Sequence, residues 1–220
     1  MTSTRPDPAA ADRWQTFLDW TRINARAMTI AGVIVAVAAA SYWFYARSRQ
    51  IQAANAEKAL MNAKQSLGAG NMPLAQSDLQ KVYSRYSSTS AGVEAALLLA
   101  QVDYDQHKPQ DGLNVLKKAS GSGAAAAMES TVRSLIGDGY MQLGKPVEAA
   151  KEYEAAAAVS RLDNERANQR AKAARAYGAV GDTARARKLW SDLLEDPKAQ
   201  AMASEARVRI GELTARVAKK

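Results

Sequence analysis

A 37-residue period constrains this chain more tightly than any other feature of its 220 residues. Gly70, His107, Gly144 and Gly181 follow one another at that spacing. Five positions after each stands a small residue (Ala75, Gly112, Ala149, Ala186), and four beyond that a large apolar one (Leu79, Leu116, Tyr153, Trp190). Seven positions before each turn residue is another small one (Ala63, Ala100, Gly137, Ala174), and the next step reaches Gly211. A constant period of this size marks stacked supersecondary units, each buried only against its neighbours.

Each unit reads as two helices. In the third, residues 130–143 carry apolar side chains at helical spacing, and Gly144-Lys145-Pro146 then ends the helix. Glycine suits the C-terminal cap and proline the first turn of the next helix. Val147, Ala150, Tyr153 and Ala157 continue on that second helix. Antiparallel helices approach closely only where side chains are small, and the large residue then fills the gap to the next unit. The expected fold is all-α: an α-solenoid over 47–220 with four helix pairs and a C-terminal capping helix ending near Val217. The run Ser120-Gly121-Ser122-Gly123 is expected to be a loop between the second and third units.

Composition agrees. Aromatic residues are only 6% and alanine is abundant, which suits close helix packing rather than a sheet sandwich. Cysteine is absent, which excludes a disulfide framework, a thiolate zinc site and a cysteine nucleophile. The net charge of +8 comes from Arg and Lys interleaved with Asp and Glu along the repeats, the pattern of solvated helix faces. No aromatic and basic stripe accompanies it, so nucleic acid is not an expected partner.

Ahead of the repeats, residues 28–46 (MTIAGVIVAVAAASYWFYA) are uncharged between Arg26 and Arg47. At ~1.5 Å per residue such a helix matches the ~30 Å hydrocarbon core. The preceding 27 residues include Asp7, Asp12 and Asp19, unlike the short basic leader of a cleaved signal, so a retained transmembrane anchor is expected. Gly32, Ala36 and Ala40 form a small-residue face on which another membrane helix could pack. In the N-terminal arm, 1–27, Trp14, Phe17 and Leu18 share one helical stripe, and with Trp43 they are the expected contacts with the bilayer interface. Basic residues on the two sides of the span balance, so charge does not orient it. A short N-terminal tail remaining in the cytoplasm while the large domain is exported is the simpler topology.

Little in the sequence suggests chemistry. His107 is the one histidine and falls in a repeat turn, with no nucleophile or metal-ligand spacing around it. Gly121 and Gly123 lack the Lys-Ser/Thr of a phosphate loop. No enzyme, cofactor or small-molecule substrate is expected. The register instead places Glu94, Gln101, Tyr104, Asp138, Gln142, Asn168 and Arg175 on the concave face, where mixed polar side chains can hold a partner polypeptide.

Tyr140, Gly144, Pro146, Ala149, Tyr153 and Ala156 resemble a tetratricopeptide repeat, as do Tyr177, Gly181, Ala186 and Trp190, although that repeat usually runs 34 residues. The overall plan is an arm with Trp14 and Trp20, one span ending in aromatics, then Ala-rich repeats. Over roughly residues 10–215 it is similar to the ancillary Sec-translocon subunit (YfgM-like) family. That resemblance implies a bacterial inner-membrane protein with its N-terminus inside and a periplasmic repeat domain that meets translocon components and chaperones. The expected function is a membrane-anchored interaction scaffold in protein export or envelope quality control. The alternatives are a stoichiometric subunit buttressing a large respiratory or photosynthetic assembly, or a peptide-binding chaperone. Expected partners are other membrane proteins, through the span and the repeats, and bilayer lipid.

Overall fold

In the computed structural model, Trp20 and residues 25–218 are described, the side chains as far as Ala215. The expected interface residues Trp14, Phe17 and Leu18, and the tail before them, lie outside the described residues. The chain divides into two compact units, Met1–Ile51 and Gln52–Lys220.

Among the described residues there are nine α-helices: α1 (Ala25–Gly68), α2 (Met72–Tyr86), α3 (Ser90–Asp105), α4 (Pro109–Ser120), α5 (Glu129–Gln142), α6 (Pro146–Val159), α7 (Asp163–Ala179), α8 (Thr183–Glu195) and α9 (Ala203–Ala218). The apolar run expected to end at Ala46 is part of α1, which continues unbroken to Gly68. No glycine or proline lies between Gly32 and Gly68 to interrupt it. The Ser120–Gly123 stretch is shorter as a loop than expected, because a 3-10 helix, Gly123–Met128, begins within it. A second 3-10 helix, Pro197–Met202, precedes α9.

In the second unit Ala56, Leu60 and Ala63 of α1 share a buried cluster with α2 and α3, α3 pairs with α4, α5 with α6 and α7 with α8, and α9 closes the stack. Four equivalent turns set the pairing. The amides of Asn71, Lys108, Lys145 and Asp182 donate to the carbonyls of Ser66, Asp103, Tyr140 and Tyr177 at 2.8–3.0 Å. Those of Gly70, His107, Gly144 and Gly181 donate to Leu67, Tyr104, Met141 and Gly178. This is the Schellman cap, which requires a left-handed residue. The φ angles are 74°, 58°, 68° and 78°. His107 is thus the only non-glycine with positive φ among the described residues, held where the other three repeats use glycine. The following helices start on Asn71 and Asp182 side-chain caps, or on Pro109 and Pro146 in the first turn.

The periodic residues are the core. Ala75, Ala149 and Ala186 are wholly buried, as are Ala63, Ala100 and Ala174. Leu79, Leu116, Tyr153 and Trp190 are 0–3% exposed. At Gly137 the missing side chain is required: a Cβ there would lie 2.5 Å from Cε1 of the Tyr153 ring.

Candidate interaction groove

Successive first helices of the pairs, α3, α5 and α7, place side chains of equivalent register side by side. Gln101, Asp138 and Arg175 are one such series, each one period from the last. They line an open groove of about 680 Å³ together with Tyr104, Asp105, Met141, Gln142, Lys172 and Tyr153. Five of the seven expected concave-face residues are therefore brought together: Gln101, Tyr104, Asp138, Gln142 and Arg175. Glu94 lies outside the groove lining and forms an ion pair with Lys64 at 2.5 Å. Asn168 is exposed on α7 and also lies outside it.

Tyr104 needs a correction. The register predicts that it faces a partner, but it is only 5% exposed, and its hydroxyl donates to the Leu135 carbonyl of the next repeat at 3.0 Å. Gly112 and Gly139 leave room for its ring. The phenol thus floors the groove and ties two repeats together. Burial, with Asp138 and Asp103 nearby, pushes its pKa well above the usual phenol value.

Asp138 is the centre of the groove's polar network. It accepts from the Tyr153 hydroxyl at 2.7 Å and from Lys172 Nζ at 3.0 and 3.1 Å. Lys172 also donates to Ser134 Oγ at 3.1 Å and sits 5.3 Å over the Tyr153 ring. Burial, then the bond to Asp138, raises the Tyr153 pKa far above the phenol range, so it remains a donor. At the far end Arg175 meets Glu205 of α9 in a two-pronged pair, Nε to Oε1 at 2.7 Å and Nη2 to Oε2 at 2.5 Å. The hydrogen bonds of that pair hold Glu205 below the usual carboxylate range and Arg175 above its own.

Sequence reasoning misses Asp105, Met141 and Lys172 as polar or thioether groove residues and reads Tyr153 as packing alone. The period carries part of the signal. Lys172 is one step from Leu135, one turn before Arg175, so the register that places Arg175 also places it. That it binds Asp138, 34 residues away, depends on how neighbouring repeats stack, which the period does not specify.

The groove offers donors, acceptors and a thioether, with its central charges already paired. Among the described residues no group of three or more His, Cys, Asp or Glu side chains is arranged to hold a metal. In the first unit, Gly32, Ala36, Ala40 and Trp43 are all exposed, and a Cβ at Gly32 would meet nothing within 4 Å.

The architecture and groove define the class: a tetratricopeptide-like α-solenoid, a fold that serves generally as a non-catalytic protein–protein interaction scaffold. The chain belongs to the tetratricopeptide repeat-like domain family, whose match spans residues 55–173, more than half of its length. No curated protein sequence matches it. Among solved structures it is similar to the tetratricopeptide-like repeats of a Podosopora anserina putative kinesin light chain, with 16% identity, TM-score 0.53, and coverage of 74% of this chain and 97% of that one. A thermophilic tetratricopeptide protein of Thermus thermophilus aligns with 18% identity and TM-score 0.52, over 73% and 81%. MamA aligns with 16% identity and TM-score 0.53, over 72% and 97%. These likenesses concern the fold.

Proposed function

We propose that this protein is a single-span membrane-anchored scaffold whose concave groove holds partner polypeptides. The carrying observation is the apolar stretch of α1. An 18-residue window there has a mean hydropathy of 1.8 and is 0% buried by the rest of the protein. Ile30, Val35 and Phe44 are 62, 67 and 72% exposed. So long a continuous apolar surface calls for a covering, and a bilayer of matching thickness supplies one. Trp43 then sits at the interface, and Gly32, Ala36 and Ala40 form the face for a partner span.

The groove supports the scaffold half of the proposal. It is open, mixed in polarity and built from several repeats, as suits an extended chain rather than a small substrate. The N-terminus is assigned to the cytoplasm of a bacterial cell and the repeats to the periplasm, with work in protein export or envelope quality control. That assignment rests on the resemblance to the ancillary Sec-translocon subunit family.

The absence of native cysteine makes the test clean. Single cysteines at Ser3 and at the exposed Gly123, probed in intact cells with a membrane-impermeant maleimide, should label only Gly123→Cys, and the protein should resist carbonate extraction. Labelling of Ser3→Cys alone would invert the topology, and extraction into the soluble fraction would remove the anchor from the account. Recovery in fixed stoichiometry within one detergent-purified complex would move the role to that of a structural subunit.

A further inference from the structure

Asp103, near the end of α3 and 4% exposed, is the only charged side chain among the buried residues described. Its Oδ1 accepts from Gln76 Nε2 at 2.9 Å. Oδ2 takes no hydrogen bond among the described residues, and no cation pairs with the carboxylate there. Lys108 reaches it only by relay: Lys108 Nζ donates to Gln106 Oε1 at 2.8 Å, and Gln106 Nε2 donates to Gln76 Oε1 at 3.4 Å. Taking a carboxylate out of water is costly, so a buried one normally has a cation or several donors around it. Burial first, then the like charge of Asp111, raises the Asp103 pKa against the smaller pull of Gln76 and Lys108.

The carboxylate is not sealed in. It lines an open groove of about 580 Å³ bounded by α2, α3 and α4, which shares no lining residue with the interaction groove. Asp111 stands on the same groove, exposed and without an ion pair among the described residues. Ser77 and Gln80 are exposed there too, and their side chains make no hydrogen bond among the described residues. No Lys or Arg lines this groove. Two negative charges and free oxygen acceptors thus face one open space. An ammonium group, which donates three hydrogen bonds and accepts none, matches such a set. A divalent metal fits it less well, since it draws on more carboxylates than the two present, and no group of three or more His, Cys, Asp or Glu is assembled among the described residues. Leu99 and Val115 add apolar surface against which methylene groups can lie.

We infer that this second groove binds a small organic dication of the diamine type, one ammonium group meeting Asp103 and the other Asp111. Binding supplies the buried carboxylate with the counter-charge and the donors that the protein itself withholds. A desolvated carboxylate beside a like charge in an open cleft is the electrostatic mark of a binding site. The site involves no partner polypeptide and stands apart from the scaffold reading.

The test uses the full chain in non-ionic detergent micelles with isotope-labelled glutamine side chains. Putrescine, titrated at constant ionic strength, should shift the Gln76 and Gln80 side-chain amide resonances saturably, with a Kd on the order of 1 mM, and leave Gln200 unchanged. Butylammonium, with one charge, should bind at least tenfold more weakly, and calcium should not compete. Asp103→Asn, which keeps an acceptor for Gln76, and Asp111→Asn should each weaken the titration at least tenfold. Asp192→Asn, the same change of charge on α8, should leave it intact. Gln76 and Gln80 resonances that stay fixed would overturn the inference. So would equal binding of butylammonium, displacement by calcium, or an undiminished titration in a folded Asp103→Asn protein. The wild-type comparison of putrescine, butylammonium and calcium decides the matter even if Asp103→Asn does not fold.

Discussion

Gly137 and Gly211 occupy the same register position, yet adding one methyl group should have opposite effects at the two. In Gly137→Ala the new carbon would lie 2.5, 2.8 and 2.9 Å from Cε1, Cδ1 and Cζ of Tyr153. That ring cannot step aside cheaply: it is 3% exposed, its hydroxyl is bonded to Asp138, and Lys172 caps its face. Overpacking of this kind costs about 1–3 kcal/mol. Displacing the ring also weakens a hydrogen bond to a charged acceptor, normally worth about 1.5–3 kcal/mol and less here because Asp138 is one-third exposed. Alanine's helix propensity returns about 1 kcal/mol. The net is a destabilisation of about 2 kcal/mol, which lowers Tm by roughly 4–8 °C in a chain of this size. At Gly211 a Cβ meets nothing within 4 Å, so only the propensity gain remains, up to about 1 kcal/mol, and Tm should rise by about 2–4 °C. Thermal melts followed by circular dichroism measure both. Equal responses, or a stabilised Gly137→Ala, would refute the argument that the small residues of the period are set by the ring across the hairpin.

Other expectations follow from the same contacts. His107→Gly should stabilise the protein by about 0.5–1 kcal/mol in urea unfolding, because left-handed backbone costs a non-glycine residue more than glycine's extra chain entropy does; Gly144→Ala should cost about 1 kcal/mol for the converse reason. Tyr153→Phe should cost about 1 kcal/mol and Asp138→Ala about 2, and the double variant should cost less than their sum, since both remove one bond. The Arg175–Glu205 pair stabilises above the ordinary unfolded glutamate value, and its contribution is lost as pH falls through the lower folded value. Both side chains are partly exposed, so Glu205→Gln should lose less than about 1 kcal/mol near neutrality and match the wild type in acid, as read from melts across that range.

The solenoid could be read from the sequence because its determinants are local and recur. A left-handed turn residue, a small residue at the crossing and a large one beyond it are each imposed by the geometry of one hairpin, so the period displays them. His107 keeps the turn even without glycine, because the surrounding cap bonds and helix pairing set its backbone. The unbroken α1 is also implied, by the absence of any breaker after Gly32, but the change from apolar to polar composition draws the boundary at Ala46 instead. Contacts between repeats are harder to read. Tyr104 is burial-competent and polar-tipped, and the space left by Gly112, with the Leu135 carbonyl and Gly139 of the next unit, turns it inward. The Lys172–Asp138–Tyr153 network joins three helices, and its pairing depends on the stacking angle, which no spacing in the chain records.

The central claim is that the face built by α3, α5 and α7 is where partners bind. A photo-cross-linking amino acid placed in turn at Gln101, Gln142 and Asn168, and at the exposed Lys81, Lys151 and Lys188 on the second helices of the pairs, tests it residue by residue. Discrete cross-linked species are expected at Gln101 and Gln142, weaker ones at Asn168, and none at the three lysine positions. Cross-links confined to Lys81, Lys151 and Lys188 would contradict it.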